Sequence, residues 1–267
     1  MDLWMSTIIS GLVEGLTEFL PISSTGHLIL LDALLGKGGD KAAAFDIIIQ
    51  LGAILSVVVI YWDRFKGLFF PQARQRFAGV RGLTLLFLTS FPAALLGLFA
   101  HKAIKAHLFT PMTVAISLAA GAVLILIVEN RGRTREKYHD LDSISPSLAL
   151  GIGLFQCLAL WPGFSRSAAT ILGGMILGAR RKLAAEYSFI AAVPIMLAAT
   201  MYELYKSWGE FSADDLSYLA LGFVVAFFSA WLAVKWFIGL MTRVTLRPFA
   251  VYRLALALVV AVTLWPS

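Results

Sequence analysis

Two glutamates, Glu14 and Glu18, are the first residues along the chain whose types and spacing could do chemistry. Residues four apart on a helix are neighbours, so both carboxylates would lie on one helix face and repel each other. A cation between them would relieve that repulsion, and paired carboxylate oxygens suit Mg²⁺ or Ca²⁺ better than a soft metal. The alternative is that one carboxyl group is protonated and that both only form hydrogen bonds within a helix bundle.

Three hydroxyl residues, Ser23, Ser24 and Thr25, follow the glutamates and are themselves followed by Gly26 and His27. Serine and threonine are the usual N-caps of a helix, and this is the simplest interpretation of the cluster. The free N–H groups of a helix N-terminus also bind anions. A single histidine is usually structural, but His27 lies close to carboxylates and hydroxyls, where it could act as an acid, a base or a nucleophile.

A second polar segment, from Gly163 through Ser165, Arg166 and Ser167 to Thr170, lies in the other half of the chain. Arg166 keeps its proton at any physiological pH and therefore needs an anionic partner. Glu14 or Glu18 could supply that partner, and the guanidinium fork also matches a phosphate group.

The elements that carry these residues are strongly apolar. Of the 267 residues, 59% are hydrophobic and 14% are charged, whereas about a quarter of the residues in a soluble domain are charged. The stretches 82–100, 111–128 and 216–234 contain no charged residue. Each is long enough to cross a hydrocarbon core of roughly 30 Å. We predict an all-α integral membrane protein with six transmembrane helices, at 42–62, 82–100, 111–128, 184–204, 216–234 and 250–265.

Two further apolar regions are broken in the middle, at 21–26 and at 161–167, which are the polar segments described above. Each is too short on one side of its break to cross the bilayer, so we predict two re-entrant helical hairpins. Each hairpin is followed by three spans, and an odd number of spans inverts the second copy. A single membrane domain with an inverted-topology repeat is expected, with halves 1–129 and 147–267 and a linker at 130–146.

The distribution of basic residues gives the predicted orientation. The loops at 63–81, 129–147, 179–183 and 239–249 carry 14 of the 22 lysines and arginines, and five lysines fall on the other face. Cytoplasmic loops are enriched in basic residues. The net charge of +6 is therefore explained by topology, and no nucleic-acid partner is expected.

The segment from Glu14 to His27 resembles the first signature of the bacterial undecaprenyl pyrophosphate phosphatase family, the bacitracin-resistance type. Pro162 to Thr170 resembles its second signature, PGxSRSxxT, and Phe45 to Gly52 resembles a third stretch. Chain length and segment order match over essentially the whole sequence, and both signatures at this separation are highly specific.

This resemblance implies a phosphatase of the bacterial plasma membrane that depends on a divalent metal. It would hydrolyse undecaprenyl (C55) pyrophosphate, recycle the lipid carrier for cell-wall synthesis and give resistance to bacitracin, with its active site facing the outside. The resemblance associates Glu14 and Glu18 with metal and catalysis and Arg166 with phosphate, and it leaves the nucleophile open between Ser24 and His27. We expect further residues beside the two helix starts to bind substrate: Ser23, Thr25, Gly163, Ser165, Ser167 and Thr170.

Several alternatives stay open at the level of sequence. Water could attack the phosphate directly, with neither Ser24 nor His27 as the nucleophile. A transporter or flippase of an anionic prenyl lipid would also use inverted repeats and broken helices. Only the enzyme needs paired carboxylates beside a nucleophile and releases orthophosphate. The sequence also leaves open whether Mg²⁺ or Ca²⁺ is used and whether the chain forms a homodimer.

Overall fold

The structure, a computed structural model, describes residues 3–36, 40–72, 75–108, 110–131, 136–206 and 215–264. Within these ranges the chain is helical and forms no sheet. The predicted linker 130–146 and the loop 63–81 are therefore described only in part. Four basic residues of the charge count lie outside the described residues: Lys37, Arg74, Arg133 and Arg135.

Eleven α-helices are found in the described ranges. Their bounds are α1 Leu3–Thr17, α2 Ser24–Leu35, α3 Asp40–Ile60, α4 Trp62–Phe69, α5 Gly79–His107, α6 Pro111–Asn130, α7 Pro146–Gln156, α8 Arg166–Ile176, α9 Arg181–Lys206, α10 Leu216–Leu240 and α11 Arg247–Thr263. Short 3₁₀ turns lie at Leu141–Ser143 and Cys157–Leu160.

Four of these helices are long and apolar enough to cross a membrane, namely α5, α6, α9 and α10. Helices α3 and α4 meet at an angle of 81° and would count as a fifth span if taken together. The segment predicted at 250–265 falls on α11, whose 17 residues extend about 26 Å, slightly less than a bilayer core. By length and composition, the described residues therefore support four to five of the six predicted spans.

The two predicted breaks in the apolar regions are present. Helix α1 ends at Thr17 and α2 begins at Ser24, while α7 ends at Gln156 and α8 begins at Arg166. In both places the residue before the new helix is a serine with a positive φ angle, 71° at Ser23 and 76° at Ser165. Each serine hydroxyl accepts a hydrogen bond from the N–H three residues further on. The two helix starts therefore share one capping geometry.

Helices of the two halves pack on each other. Helix α1 lies on α10, and α7 lies on α5. Helix α3 contacts both α9 and α10, and α6 pairs with α11. Each broken region therefore has its first arm supported by a long helix. In both cases that helix belongs to the other half of the chain.

Arg253 on α11 holds the two breaks together. Its side chain is fully buried, and its guanidinium donates to the carbonyl oxygens of Pro21 at 3.1 Å and Gly163 at 3.1 Å. It also donates to the carbonyls of Ser117 at 3.4 Å and Leu118 at 3.1 Å on α6. Within the described residues it forms no ion pair, so four carbonyl dipoles stabilise the buried charge.

A glycine on α6 makes room for this clamp. A Cβ atom at Gly121 would overlap the Arg253 guanidinium. Overpacking of this kind forces side chains or backbone to move and is destabilising. The position therefore requires glycine because of the arginine opposite it.

The described part of the linker is tied to the first half of the chain. Asp142 accepts a hydrogen bond from the Phe77 N–H at 2.7 Å and pairs with Arg64 at 3.2 Å. Partial burial opposes ionisation of this carboxyl group, but the hydrogen bonds from Phe77 and Arg64 outweigh it and hold the pKa of Asp142 below its usual value. The tie therefore persists at neutral pH.

We expect Arg253→Met to lower the thermal unfolding temperature of the purified protein clearly. The substitution removes a charged donor from four buried carbonyl groups, and each hydrogen bond to a charged group contributes about 1.5–3 kcal/mol. Arg253→Lys should rescue only part of the loss, because an ammonium group lacks the planar fork that reaches both breaks.

Lys235→Met is the matched control for this experiment. Lys235 is exposed and lies 3.7 Å from the centre of the Trp231 ring, a contact worth about 0.5–1 kcal/mol at such a site. Equal unfolding temperatures for Arg253→Met and Lys235→Met would contradict the clamp.

Candidate functional site

A cavity of about 140 Å³ lies between the two breaks. Polar groups from both halves line it, and Gln50 of α3 joins them. The lining residues are Glu18, Ser23, Ser24, Thr25, Gln50, Ala159, Pro162, Gly163, Ser165, Arg166 and Met196. Neither half could form this cavity by itself.

Glu18 connects the two halves inside the cavity. One of its carboxylate oxygens, Oε2, accepts a hydrogen bond of 2.5 Å from the Ser24 hydroxyl. The other, Oε1, lies 3.4 Å from Nη2 of Arg166. Glu18 and Ser24 are 8% and 7% exposed, so water screens these contacts little. A hydroxyl group, a carboxylate that can accept its proton and a guanidinium group thus form one chain of contacts.

Arg166 is held in position by further groups. Its Nη1 donates to the carbonyl oxygen of Ser188 at 2.9 Å, and its guanidinium lies 5.6 Å from the centre of the Phe19 ring. The Ser188 hydroxyl also bonds the Thr170 hydroxyl at 2.6 Å. The Nε atom of Arg166 is buried and has no partner among the described residues. The side chain is therefore anchored while keeping donor capacity for a ligand.

Glu14 lies one helical turn before Glu18, whose N–H donates to the Glu14 carbonyl at 2.9 Å. Its side chain is 1% exposed, and its Oε1 atom has no hydrogen-bond partner among the described residues. A buried acceptor without a donor is costly and requires an explanation. A bound cation would satisfy this oxygen.

The donor set fits a hard divalent cation only in part. The described residues contain no group of three or more histidine, cysteine, aspartate or glutamate side chains that could hold a metal ion. Mg²⁺ is commonly bound by one or two carboxylates together with water and substrate phosphates. Glu14 and Glu18 therefore fit a cation that is completed by a phosphate ligand, and they do not fit a closed structural site.

His27 lies on α2 but does not line the cavity. Its Nδ1 is 2.7 Å from the Ser23 carbonyl oxygen, and its Nε2 is 2.6 Å from the Tyr252 hydroxyl. The two rings are stacked with their centres 5.5 Å apart. Both ring nitrogens are therefore engaged with groups other than Glu18 and Arg166.

The other predicted binding residues divide into two groups. Thr25 and Gly163 line the cavity, as do the two capping serines described above. Ser167 is fully buried, and its hydroxyl donates to the Leu20 carbonyl at 2.7 Å, which ties α8 to the first break. Thr170 is also fully buried and contacts Ser188. Ser167 and Thr170 therefore support the cavity from behind its wall.

Gly163 needs to be a glycine. Its φ angle is 93°, and a Cβ atom would come within 2.7 Å of the Val114 carbonyl oxygen. L-residues rarely adopt this conformation. The second break can therefore lie against α6 only because this position has no side chain.

From the sequence, Gln50 is a polar residue within a predicted span that could either support the site or only bond between helices, and the structure places it in the cavity wall. Ser188, Tyr252 and Arg253 were not singled out. Ser188 and Tyr252 are uncharged residues within apolar helices, and their spacing gives no signal. Arg253 did carry a signal, since a charge inside a predicted span marks a functional or structural site.

Comparison with known proteins identifies the family of this chain. The family model described as "Bacitracin resistance protein BacA" matches residues 7–259. A protein of Nitratidesulfovibrio vulgaris (strain DP4), named undecaprenyl-diphosphatase, is 68% identical over 253 residues, which is 95% of each chain. Proteins with the same name from Maridesulfovibrio salexigens and Acidovorax ebreus are 66% and 49% identical, over 93% and 98% of this chain and 94% and 96% of their own. With the two broken regions facing one polar cavity and a family model that covers nearly the whole sequence, the chain belongs to the bacitracin resistance protein BacA family.

Proposed function

We propose that this chain is an undecaprenyl-diphosphatase, which hydrolyses undecaprenyl (C55) pyrophosphate to undecaprenyl phosphate and phosphate. This reaction recycles the lipid carrier for cell-wall synthesis and gives resistance to bacitracin. The observation that carries the proposal is the chain of contacts from Ser24 through Glu18 to Arg166 across the two breaks. These three side chains would supply the nucleophile (Ser24), its proton acceptor (Glu18) and a guanidinium group that binds phosphate (Arg166), all in one cavity.

The proposed topology has six transmembrane helices and two re-entrant hairpins in an inverted repeat. Matching positions in the two halves support it, since α1 on α10 has the same place in the repeat as α7 on α5. The equal cap geometry of Ser23 and Ser165 supports it as well. The prediction of halves 1–129 and 147–267 agrees with these pairings.

The proposed location is the bacterial inner membrane, with the cavity open to the outer side. The excess of basic residues on the loops of one face supports this orientation. The prenyl tail would stay among lipids while the pyrophosphate enters between the two breaks.

Substrate binding in this proposal depends on Arg166. Its contact with Glu18 measures 3.4 Å, longer than the 2.7–2.9 Å or so of a strong charge-assisted hydrogen bond. Helix α8 begins at Arg166 in the wall of this cavity, and the N-terminus of a helix favours an anion. Arg166 therefore turns from Glu18 to the incoming phosphate, which releases Oε1 of Glu18 while Oε2 keeps its contact with the Ser24 hydroxyl.

In the proposed reaction the Ser24 hydroxyl attacks the terminal phosphorus atom. Its proton goes to Glu18, the bond from phosphorus to the bridging oxygen breaks, and undecaprenyl phosphate leaves with the electron pair. Water then attacks the phosphoserine: orthophosphate is released, one proton of the water restores the Ser24 hydroxyl, and Glu18 returns its proton to solvent. The short Ser24–Glu18 hydrogen bond favours Ser24 over His27, whose ring nitrogens bond Ser23 and Tyr252.

Glu14 and Glu18 would hold the Mg²⁺ or Ca²⁺ ion, which, when bound, neutralises phosphate charge and polarises the phosphoryl oxygens. The unpartnered Oε1 atom of Glu14 supports this assignment. The protein would hold the two carboxylates one helical turn apart, with Glu14 in α1 and Glu18 directly after its last residue.

We expect Arg166→Ala to lower kcat/KM for a prenyl pyrophosphate by about 100- to 1000-fold, the usual effect of removing one transition-state donor. Arg166→Lys should recover only part of the rate because it lacks the bidentate fork. The measurement is orthophosphate release by purified protein in detergent. Arg64→Ala, which removes the ion pair with Asp142, is the matched control. Near-wild-type turnover of a folded Arg166→Ala protein would exclude the proposed role.

Chelation with EDTA should abolish orthophosphate release, and added Mg²⁺ or Ca²⁺ should restore it. Glu14→Gln should raise the metal concentration needed for half-maximal activity, since it removes a charged oxygen ligand without changing side-chain size. Asp63→Asn removes an exposed carboxylate on α4 and serves as the control. Full activity of the chelated enzyme would remove the cation from the mechanism.

The nucleophile can be tested by rapid acid quenching with substrate labelled in its terminal phosphate. Label should appear covalently on the wild-type protein, whereas Ser24→Ala should show none and should lose most of its turnover. His27→Ala should still form the labelled protein, because Ser24 and Glu18 are intact. Direct attack by water is established instead if wild-type protein carries no label during rapid turnover.

A further inference from the structure

A second and larger cavity, of about 400 Å³, lies away from the candidate active site. It is formed where α6, α8 and α10 end and α9 begins. Along α6, its residue Glu129 follows Leu118, a contact of the Arg253 clamp, by eleven positions. Eleven residues of helix extend about 17 Å, so the two cavities are separate.

Basic side chains dominate the wall of this cavity. They are Arg131, Arg180, Arg181, Lys182 and Arg243, against two acidic residues, Glu129 and Glu136. Glu129 is already neutralised, because it pairs with Arg181 at 2.8 Å and accepts from the Leu246 N–H at 2.8 Å. The cavity therefore has an excess of positive charge.

Three of these cations have no anionic partner among the described residues. Within the described part of the chain, Arg131, Arg180 and Arg243 form no ion pair with a carboxylate. They converge on a concave space instead of spreading over a convex surface. Guanidinium groups suit phosphate because their planar fork can donate two parallel hydrogen bonds to it.

The surroundings of the cavity are those of a membrane interface. Met175, Ile176 and Met241 contribute apolar wall beside the cations. On the adjoining helices, Trp236 is 55% exposed and Ile127 is 42% exposed. Tryptophan is enriched at the level of lipid headgroups. A ligand there would have its charge on the arginines and its apolar part along the helix surfaces.

From this arrangement we infer that the basic cavity binds the phosphate headgroup of an anionic membrane lipid. The leaflet concerned is the cytoplasmic one, an assignment that rests on the orientation given under the proposed function. That leaflet carries anionic lipids and attracts clustered arginines and lysines. The lipid would bridge α6, α9 and α10 at the end of the molecule opposite the cavity that holds the substrate.

The test is native mass spectrometry of the full-length protein in detergent, titrated with phosphatidylglycerol, with phosphatidylcholine or with inorganic phosphate. Phosphatidylglycerol should bind at least ten times more tightly than phosphatidylcholine, which has the same phosphodiester but no net charge. The double variant Arg180→Gln/Arg243→Gln should weaken phosphatidylglycerol binding by about 30-fold, since each arginine near an anionic surface contributes about fivefold.

The control is Lys66→Gln/Arg76→Gln, which removes two charges near α4, outside the cavity. It should leave phosphatidylglycerol binding unchanged. Equal binding of the two lipids, or an equal loss in the control variant, would overturn the inference. Displacement of phosphatidylglycerol by millimolar inorganic phosphate would overturn it too, because the ligand would then be free phosphate.

Orthophosphate release from a prenyl pyrophosphate is measured in parallel on both double variants. Retained hydrolysis shows that the proteins are folded and that a loss of lipid binding is specific to the cavity. A wild-type protein that binds phosphatidylglycerol but hydrolyses nothing would contradict the proposed function while leaving the lipid site intact.

Discussion

The structure depends on how two guanidinium groups are paired inside an apolar body. A buried charge is tolerated only if hydrogen bonds or an opposite charge compensate for lost hydration. Arg253 is compensated by four backbone carbonyl groups, and Arg166 by Glu18 and the Ser188 carbonyl. The first pairing is made wholly of backbone groups. The second includes the carboxylate of Glu18, a side chain that can also take part in a reaction.

The two arginines therefore have different roles: Arg253 stabilises the fold, and Arg166 belongs to the candidate active site. The Arg253 clamp joins the break at Pro21 to the break at Gly163, which brings Ser24 and Arg166 to the same cavity. Because the clamp uses carbonyl oxygens only, it leaves the carboxylates available. Removal of the clamp and removal of Arg166 should therefore have different consequences, the first on folding and the second on turnover.

Much of the fold followed from simple patterns in the sequence. Long apolar runs located the helices, and interruptions at 21–26 and 161–167 located the two breaks. The meeting of Glu18, Ser24 and Arg166 was expected because polar groups in a membrane protein must find each other. Contacts that depend on three-dimensional packing were not predictable in the same way. Ser188 and Gln50 look like ordinary polar residues of an apolar helix, and only the packing of α3 and α9 against the breaks gives them a place near the cavity.

The small volume of the cavity between the breaks has a consequence for selectivity. At about 140 Å³ it has the space of roughly five water molecules, which is enough for a charged headgroup and too little to enclose a C55 chain. Under the proposed function, the protein would recognise the pyrophosphate end of the lipid, and the hydrocarbon tail would stay in the bilayer. Different prenyl tails would then change the concentration of the substrate in the bilayer and the depth of its headgroup, because the tail would contact lipid and not protein.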